Sequence, residues 1–166
     1  MFQKKFLVQY LTFGLLAAIA FNIPVLFFLN NNEYQDAYAL FIGNALFLIV
    51  IAIYILIYNR RRNENESTQN MTAAGHIATV VGVVFACVIA FILLMIYVPG
   101  LLGGAPETLE NSPTPTSGGK TDGLVFMLFM NAIVGNVAAG SFASIILPYT
   151  AKRDQTKDRH SKVVNN

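Results

Sequence analysis

Four asparagines lie within long apolar stretches of the sequence, where they are the side chains best suited to bind a polar group. They are Asn22, Asn44, Asn131 and Asn136. An unpaired amide in hydrocarbon costs several kcal/mol, so we expect each one to have a hydrogen-bond partner. Two interpretations stay open. The amides form interhelical hydrogen bonds, worth about 0.6–2 kcal/mol each, or they line a polar path for a small solute or ion, made of Asn44, Asn131, Asn136 and Ser144.

Catalytic and metal-binding chemistry has few candidates in the same stretches. His76 is the sole Asp, Glu, Lys, Arg or His there, whereas ion-coupled pumps and proton relays usually place such groups inside the membrane. Cys87 is the single cysteine and is expected to pack as a small apolar residue. Metal sites need clusters of His, Cys or carboxylates, and no nucleophile and base share one depth. We therefore expect no enzymatic activity, no cofactor and no bound metal.

The elements that hold these side chains are four long segments without charged residues. A helix that crosses a bilayer needs about 20 mostly apolar residues, and 55% of the chain is hydrophobic while 12% is charged. The sequence predicts an all-α integral membrane protein with spans at about 6–29, 37–58, 72–98 and 124–149. Alternating β-barrel strands are excluded because these runs are apolar on every side. We expect one four-helix transmembrane domain over 1–151, a flexible outer loop at 99–123 and a charged, mobile tail at 152–166.

Small residues recur along one face of the third and fourth predicted spans. At about 100° per residue, small residues four apart let helix backbones approach closely in lipid. The predicted packing residues are Gly75, Thr79, Gly82, Ala86, Ala90, Gly135, Ala139, Gly140 and Ala143. We expect the third and fourth spans to pack face to face, with the first span, which carries Gly14, as a third partner. The second span has the bulkiest side chains and is expected to face lipid most.

Lysine and arginine indicate the orientation, because they are enriched in cytoplasmic loops. The amino-terminal tail, the 59–71 connection and the carboxyl-terminal tail together carry ten of them, and the two alternate connections carry only Lys120. We therefore expect an antiparallel bundle with both termini in the cytoplasm. The basic residues are interpreted as insertion signals and contacts with anionic lipid, with no nucleic acid as partner.

Two hypotheses for function remain open. The first is a non-catalytic subunit or scaffold that packs through its small-residue helix faces, against itself or against a larger membrane complex. The second is a homo-oligomeric channel or transporter for a small solute or ion, with an asparagine- and serine-lined path. In both cases the chain is expected in the cell membrane, and the bacterial inner membrane is favoured because no glycosylation sequon falls in an outer connection.

Overall fold

A computed structural model describes residues 4–31, 33–61, 67–98 and 121–163, and all of them except Glu33, Ser67 and Val98 are helical. A 3₁₀ turn at Tyr34–Ala37 precedes the second helix, and a π-helical turn at Asn131–Gly135 joins the last two helices. The helices are α1 (Lys4–Asn31), α2 (Tyr38–Arg61), α3 (Thr68–Tyr97), α4 (Thr121–Met130) and α5 (Asn136–Val163).

Four helical stretches are long and apolar enough to cross a membrane, which confirms that part of the prediction. They are Phe6–Asn31, Gln35–Arg60, Thr68–Tyr97 and Gly123–Ala151, of 26, 26, 30 and 29 residues. The last combines α4, the π-helical turn and most of α5, and is called the fourth span below. Long apolar segments form helices because a lipid interior offers no water to backbone N–H and C=O groups, which a helix satisfies internally.

Local signals set several helix ends. The Ser67 hydroxyl accepts a hydrogen bond from the Asn70 backbone N–H at 3.2 Å, which caps α3 at its start. The connection from α1 to α2 is short, and the Asn31 amide donates to the Asp36 carboxylate across it at 2.8 Å. The predicted outer loop lies outside the described residues from 99 to 120. The predicted tail at 152–166 lies partly within α5, which continues through Val163, and its mobility stays a prediction.

Helices α2 and α3 each contact both α1 and α5. They make a smaller contact with each other. The asparagines and Ser144, which the sequence analysis predicts as polar candidates, therefore lie on helices that share neighbours. This arrangement brings residues of α1, α2 and the fourth span against α3.

Large aromatic side chains of α1 and α2 fill the space beside glycines. The Phe47 ring of α2 lies against Gly82 of α3, and the Phe21 ring of α1 lies against Gly43 of α2. Phe47, Ile51 and Tyr54 are all buried. The expectation that the second span faces lipid most does not describe this packing, because the bulky side chains of α2 enter the notches that glycines leave.

Gly43→Leu is expected to lower the free energy of unfolding by about 2–3 kcal/mol. A Cβ added at residue 43 would lie 2.8 Å from the carbonyl oxygen of Phe21, and a backbone atom cannot rotate away. The measurement is unfolding of the purified chain in bicelles. Gly123→Leu is the matched control, since a Cβ there meets no atom within 4 Å. Equal stability of the two variants would contradict the close approach of α1 and α2.

Candidate functional site

The contact between α3 and α5 is built from small residues and hydroxyl groups. A Cβ added to Gly75 would lie 2.5 Å from the Ser144 hydroxyl oxygen, and one added to Gly140 would collide with the Thr79 side chain. Both hydroxyls donate to glycine carbonyls of their own helices, Thr79 to Gly75 at 2.9 Å and Ser144 to Gly140 at 2.6 Å. The hydroxyls are therefore satisfied without a ligand, and Ser144 is fully buried in a packing contact.

The remaining small residues of α3 contact other helices. Gly82 lies against the Phe47 ring, and a Cβ added there would be 3.3 Å from the carbonyl oxygen of Gly14 on α1. The Ala86 carbonyl accepts a hydrogen bond from Asn22 of α1 at 3.3 Å. The single face expected to meet the fourth span is thus divided between two sets of neighbours. Ala90 and Ala143 are buried, and Ala139 is half-buried.

Asn44 and Asn131 are hydrogen-bonded to each other between α2 and the fourth span. The Asn44 Nδ2 donates to the Asn131 Oδ1 at 3.1 Å, and the Asn131 Nδ2 donates to the Met127 carbonyl at 3.0 Å. Gly135 makes room for this pair, because a Cβ there would lie 2.5 Å from the Asn44 Nδ2. Both amides are part-buried.

Asn22 and Asn136 are more deeply buried. The Asn22 amide is 5% exposed and the Asn136 amide 0%. Asn136 donates through Nδ2 to the Ala132 carbonyl at 3.0 Å, and Asn22 donates to the Ala18 carbonyl at 2.8 Å as well as to Ala86. We refer to Asn22, Asn44, Asn131 and Asn136 together as the asparagine cluster.

Three amide oxygens of the asparagine cluster accept no hydrogen bond. They are the Oδ1 atoms of Asn22, Asn44 and Asn136, each buried. The orientation of the amides follows from their donors: each Nδ2 is directed at an oxygen, so rotating an amide by 180° would place two oxygens in contact. Each amide nitrogen carries two N–H groups, and only that of Asn22 contacts two acceptors. The four amides therefore offer N–H groups as well as oxygens to a polar group.

The π-helical turn at Asn131–Gly135 is a feature that sequence reasoning missed. The Asn136 backbone N–H reaches the Asn131 and Ile133 carbonyls there, so the regular hydrogen-bond ladder is interrupted within the asparagine cluster. Single π-helical turns inside α-helices occur frequently at functional sites. No residue type in the sequence marks this turn, because Asn, Ala, Ile, Val and Gly are equally compatible with a regular helix.

A cluster of aromatic rings between α1 and α2 was also missed. The Tyr54 ring is central, with ring centroids 4.9 Å from Phe13, 6.2 Å from Tyr10 and 6.0 Å from Tyr58. Phe6 extends the cluster at 6.2 Å from Tyr58. The Tyr54 hydroxyl is buried and accepts or donates no hydrogen bond. The signal that could have found it is the helical spacing of the aromatics, at i, i+4 and i+7 on α1 and at i and i+4 on α2.

The two other candidates of the sequence are both on α3, and Cys87 directly follows Ala86, whose carbonyl Asn22 contacts. His76 Nδ1 is 2.9 Å from the Thr72 carbonyl of its own helix, near the start of α3. Cys87 is a free, half-buried thiol. Within the described residues, no three His, Cys, Asp or Glu side chains come together in a way that could hold a metal ion.

Comparison with protein-family models, with curated proteins and with solved structures finds no significant match to this chain. The class that the fold itself defines is an all-helical chain with four helices long and apolar enough to span a membrane.

The bond between Asn44 and Asn131 is expected to contribute about 0.6–1.7 kcal/mol of coupling energy, the range that interhelical hydrogen bonds show in membranes. A double-mutant cycle of Asn44→Leu and Asn131→Leu, measured by unfolding in bicelles, gives this energy. A second cycle that pairs Asn44→Leu with Thr150→Val is the control, because Thr150 bonds only carbonyls of its own helix. Additive effects in the first cycle would show that the two amides do not interact.

Proposed function

We propose that the chain is a multi-pass protein of the cell membrane, with its spans in an antiparallel bundle and both termini in the cytoplasm. The distribution of Lys and Arg supports this orientation, since ten of the eleven fall in alternate connections and tails. The α3–α5 contacts support antiparallel packing, because Gly75 meets Ser144 while Thr79 meets Gly140, in reverse chain order. Sequons confined to the cytoplasmic 59–71 connection support a bacterial inner membrane.

Within that membrane we propose a non-catalytic subunit or scaffold. The observation that carries this proposal is that the small residues of α3 are engaged with other helices of the same chain, at Gly14, Phe47, Gly140 and Ser144. The chain is thus a pre-packed unit, stabilised by its own small-residue contacts. It meets the bilayer, a second copy or a larger membrane complex through its outward apolar side chains, such as Val84, Phe91 and Phe142. Nucleic acid is not among the proposed partners.

A second candidate function is a homo-oligomeric channel or transporter. The observation that favours it is the set of unpartnered amide oxygens on Asn22, Asn44 and Asn136, which a polar solute or an ion would satisfy. Four helices packed this closely leave little room for a pore within one chain, so the path would require several copies.

The orientation predicts which connections react with a membrane-impermeant maleimide. In a Cys87→Ala background, Lys120→Cys is expected to be labelled in intact cells, whereas Arg60→Cys is expected to be labelled only after permeabilisation. Labelling is measured by mass shift on a gel. Cys87→Ala without an added cysteine is the control for background. Labelling of residue 60 in intact cells would reverse the proposed topology.

The subunit proposal predicts that gentle extraction into lipid nanodiscs yields the chain with a larger protein at fixed stoichiometry, measured by native mass spectrometry. A homo-oligomer without another chain would contradict it and favour the channel. Asn131→Leu and Asn136→Leu then separate the two roles of the amides. Lost assembly assigns them to packing, whereas normal assembly with lost flux in vesicles assigns them to a path.

A further inference from the structure

The π-helical turn takes one carbonyl of the fourth span out of the regular backbone ladder. In a regular helix the N–H of Asn136 would donate to the carbonyl of Ala132, four residues earlier. Here it reaches the carbonyls of Asn131 and Ile133 instead. The Asn136 side chain replaces the missing donor, because its Nδ2 donates to the Ala132 carbonyl at 3.0 Å, and both residues are fully buried. The amide thus supplies the hydrogen bond that the turn removes.

The buried positions of the fourth span show what the extra residue in this turn does. They include every fourth residue from 128 to 144, namely Leu128, Ala132, Asn136, Gly140 and Ser144. At about 100° per residue, this spacing would carry the buried face through about 160° around a regular helix, and one extra residue takes back about 100°. On α3 a step of three residues, from Thr79 to Gly82, makes the same correction. The π-helical turn therefore keeps the buried face of the fourth span toward its neighbours.

Contacts with other helices hold the fourth span on both sides of the turn. On the α5 side Gly140 contacts Thr79, and on the α4 side Asn131 is hydrogen-bonded to Asn44. If the turn became regular α-helix while α5 stayed in place, α4 would turn by about 100° and Ala132 would take the position of Asn131. The hydrogen bond to Asn44 would then be lost. The rotation of α4 therefore depends on the turn.

We propose that Asn136 is a register lock for the fourth span. Its side chain holds the π-helical turn by bonding the Ala132 carbonyl, and the turn gives α4 the rotation that brings Asn131 to Asn44. Without this amide, the backbone N–H of residue 136 returns to the Ala132 carbonyl, and α4 turns away from Asn44. Asn136 is thus a positioning residue for a contact between two helices that its own side chain does not make. This role does not depend on whether the chain acts as a subunit or as a channel.

The first test compares two single-residue deletions by thermal unfolding in bicelles. Deleting Val134, an exposed residue of the turn, removes the extra residue and leaves α4 and α5 in their present rotation. We expect cooperative unfolding with a Tm within about 4 °C of that of the intact chain. Deleting Val84 is the matched control, because this exposed valine of α3 lies between the contacts of Gly82 and Ala86. We expect no folded protein from it. Equal behaviour of the two deletions, folded or unfolded, would overturn the proposal.

The second test measures how residue 136 affects the coupling between Asn44 and Asn131, by the cycle of Asn44→Leu and Asn131→Leu. In the intact chain this coupling is expected to change the unfolding equilibrium constant by about three- to eighteen-fold. Asn136→Leu is expected to abolish it. Asn22→Leu is the matched control and is expected to retain it, since Asn22 also bonds a carbonyl four residues earlier but lies on α1. Coupling that persists with Asn136→Leu, or that is lost in both variants, would contradict the register lock.

Deletion of Val134 provides the test where Asn136→Leu does not fold in the intact chain. In the chain without Val134, regular helix joins α4 and α5, so the amide of Asn136 has no turn to hold. Asn136→Leu in that chain is expected to fold and to keep the coupling between Asn44 and Asn131. Loss of folding or of coupling there would reject the proposal, because residue 136 would then act by a route other than the π-helical turn.

Discussion

The close approach of α1 and α3 is the contact on which the rest of the structure depends. A Cβ added to Gly14 would lie 3.0 Å from the Gly82 backbone nitrogen and 2.6 Å from a methyl group of Val81. In lipid there is no hydrophobic effect between helices, so association relies on dispersion contacts that require backbones this near. The absence of a side chain at Gly82 also opens the notch that the Phe47 ring of α2 fills, which ties a third helix to the same point.

The number and rough extent of the helices follow from the sequence because they reflect a single property, the length of uncharged apolar runs. The contacts between helices do not follow as readily. Glycine and alanine on one face of α3 indicated close packing but not the partner, since any smooth helix face can fit a small-residue groove. Gly82 meets Phe47 and Gly14 instead of the fourth span, because α3 has neighbours on several sides. The prediction that the bulky second span faces lipid most differs from the structure for a related reason. In a glycine-rich bundle, the large side chains of α2 fill the space that the glycines of neighbouring helices leave.

The asparagines illustrate the same division. That each amide needs a hydrogen-bond partner follows from its residue type and the apolar segment around it. That Asn44 bonds Asn131 across the helices, while Asn136 bonds the carbonyl of Ala132 on its own helix, depends on helix rotation, which the sequence does not encode locally. The π-helical turn adds to this, because an extra residue in one turn rotates everything after it by about 100° relative to a regular helix.

Packing alone does not account for the amides of Asn22 and Asn136. Asn22 hydrogen-bonds the Ala18 carbonyl of its own helix and the Ala86 carbonyl of α3, and Asn136 hydrogen-bonds the Ala132 carbonyl within the π-helical turn. Each also carries an unpartnered buried oxygen, and a buried acceptor without a donor costs about 1–3 kcal/mol. An apolar side chain of similar size would avoid that cost and fit the same space with dispersion contacts. Asparagine at these positions therefore carries a cost that an apolar side chain would avoid, and the hydrogen bonds that Asn22 makes to Ala18 and Ala86, and Asn136 to Ala132, offset part of it.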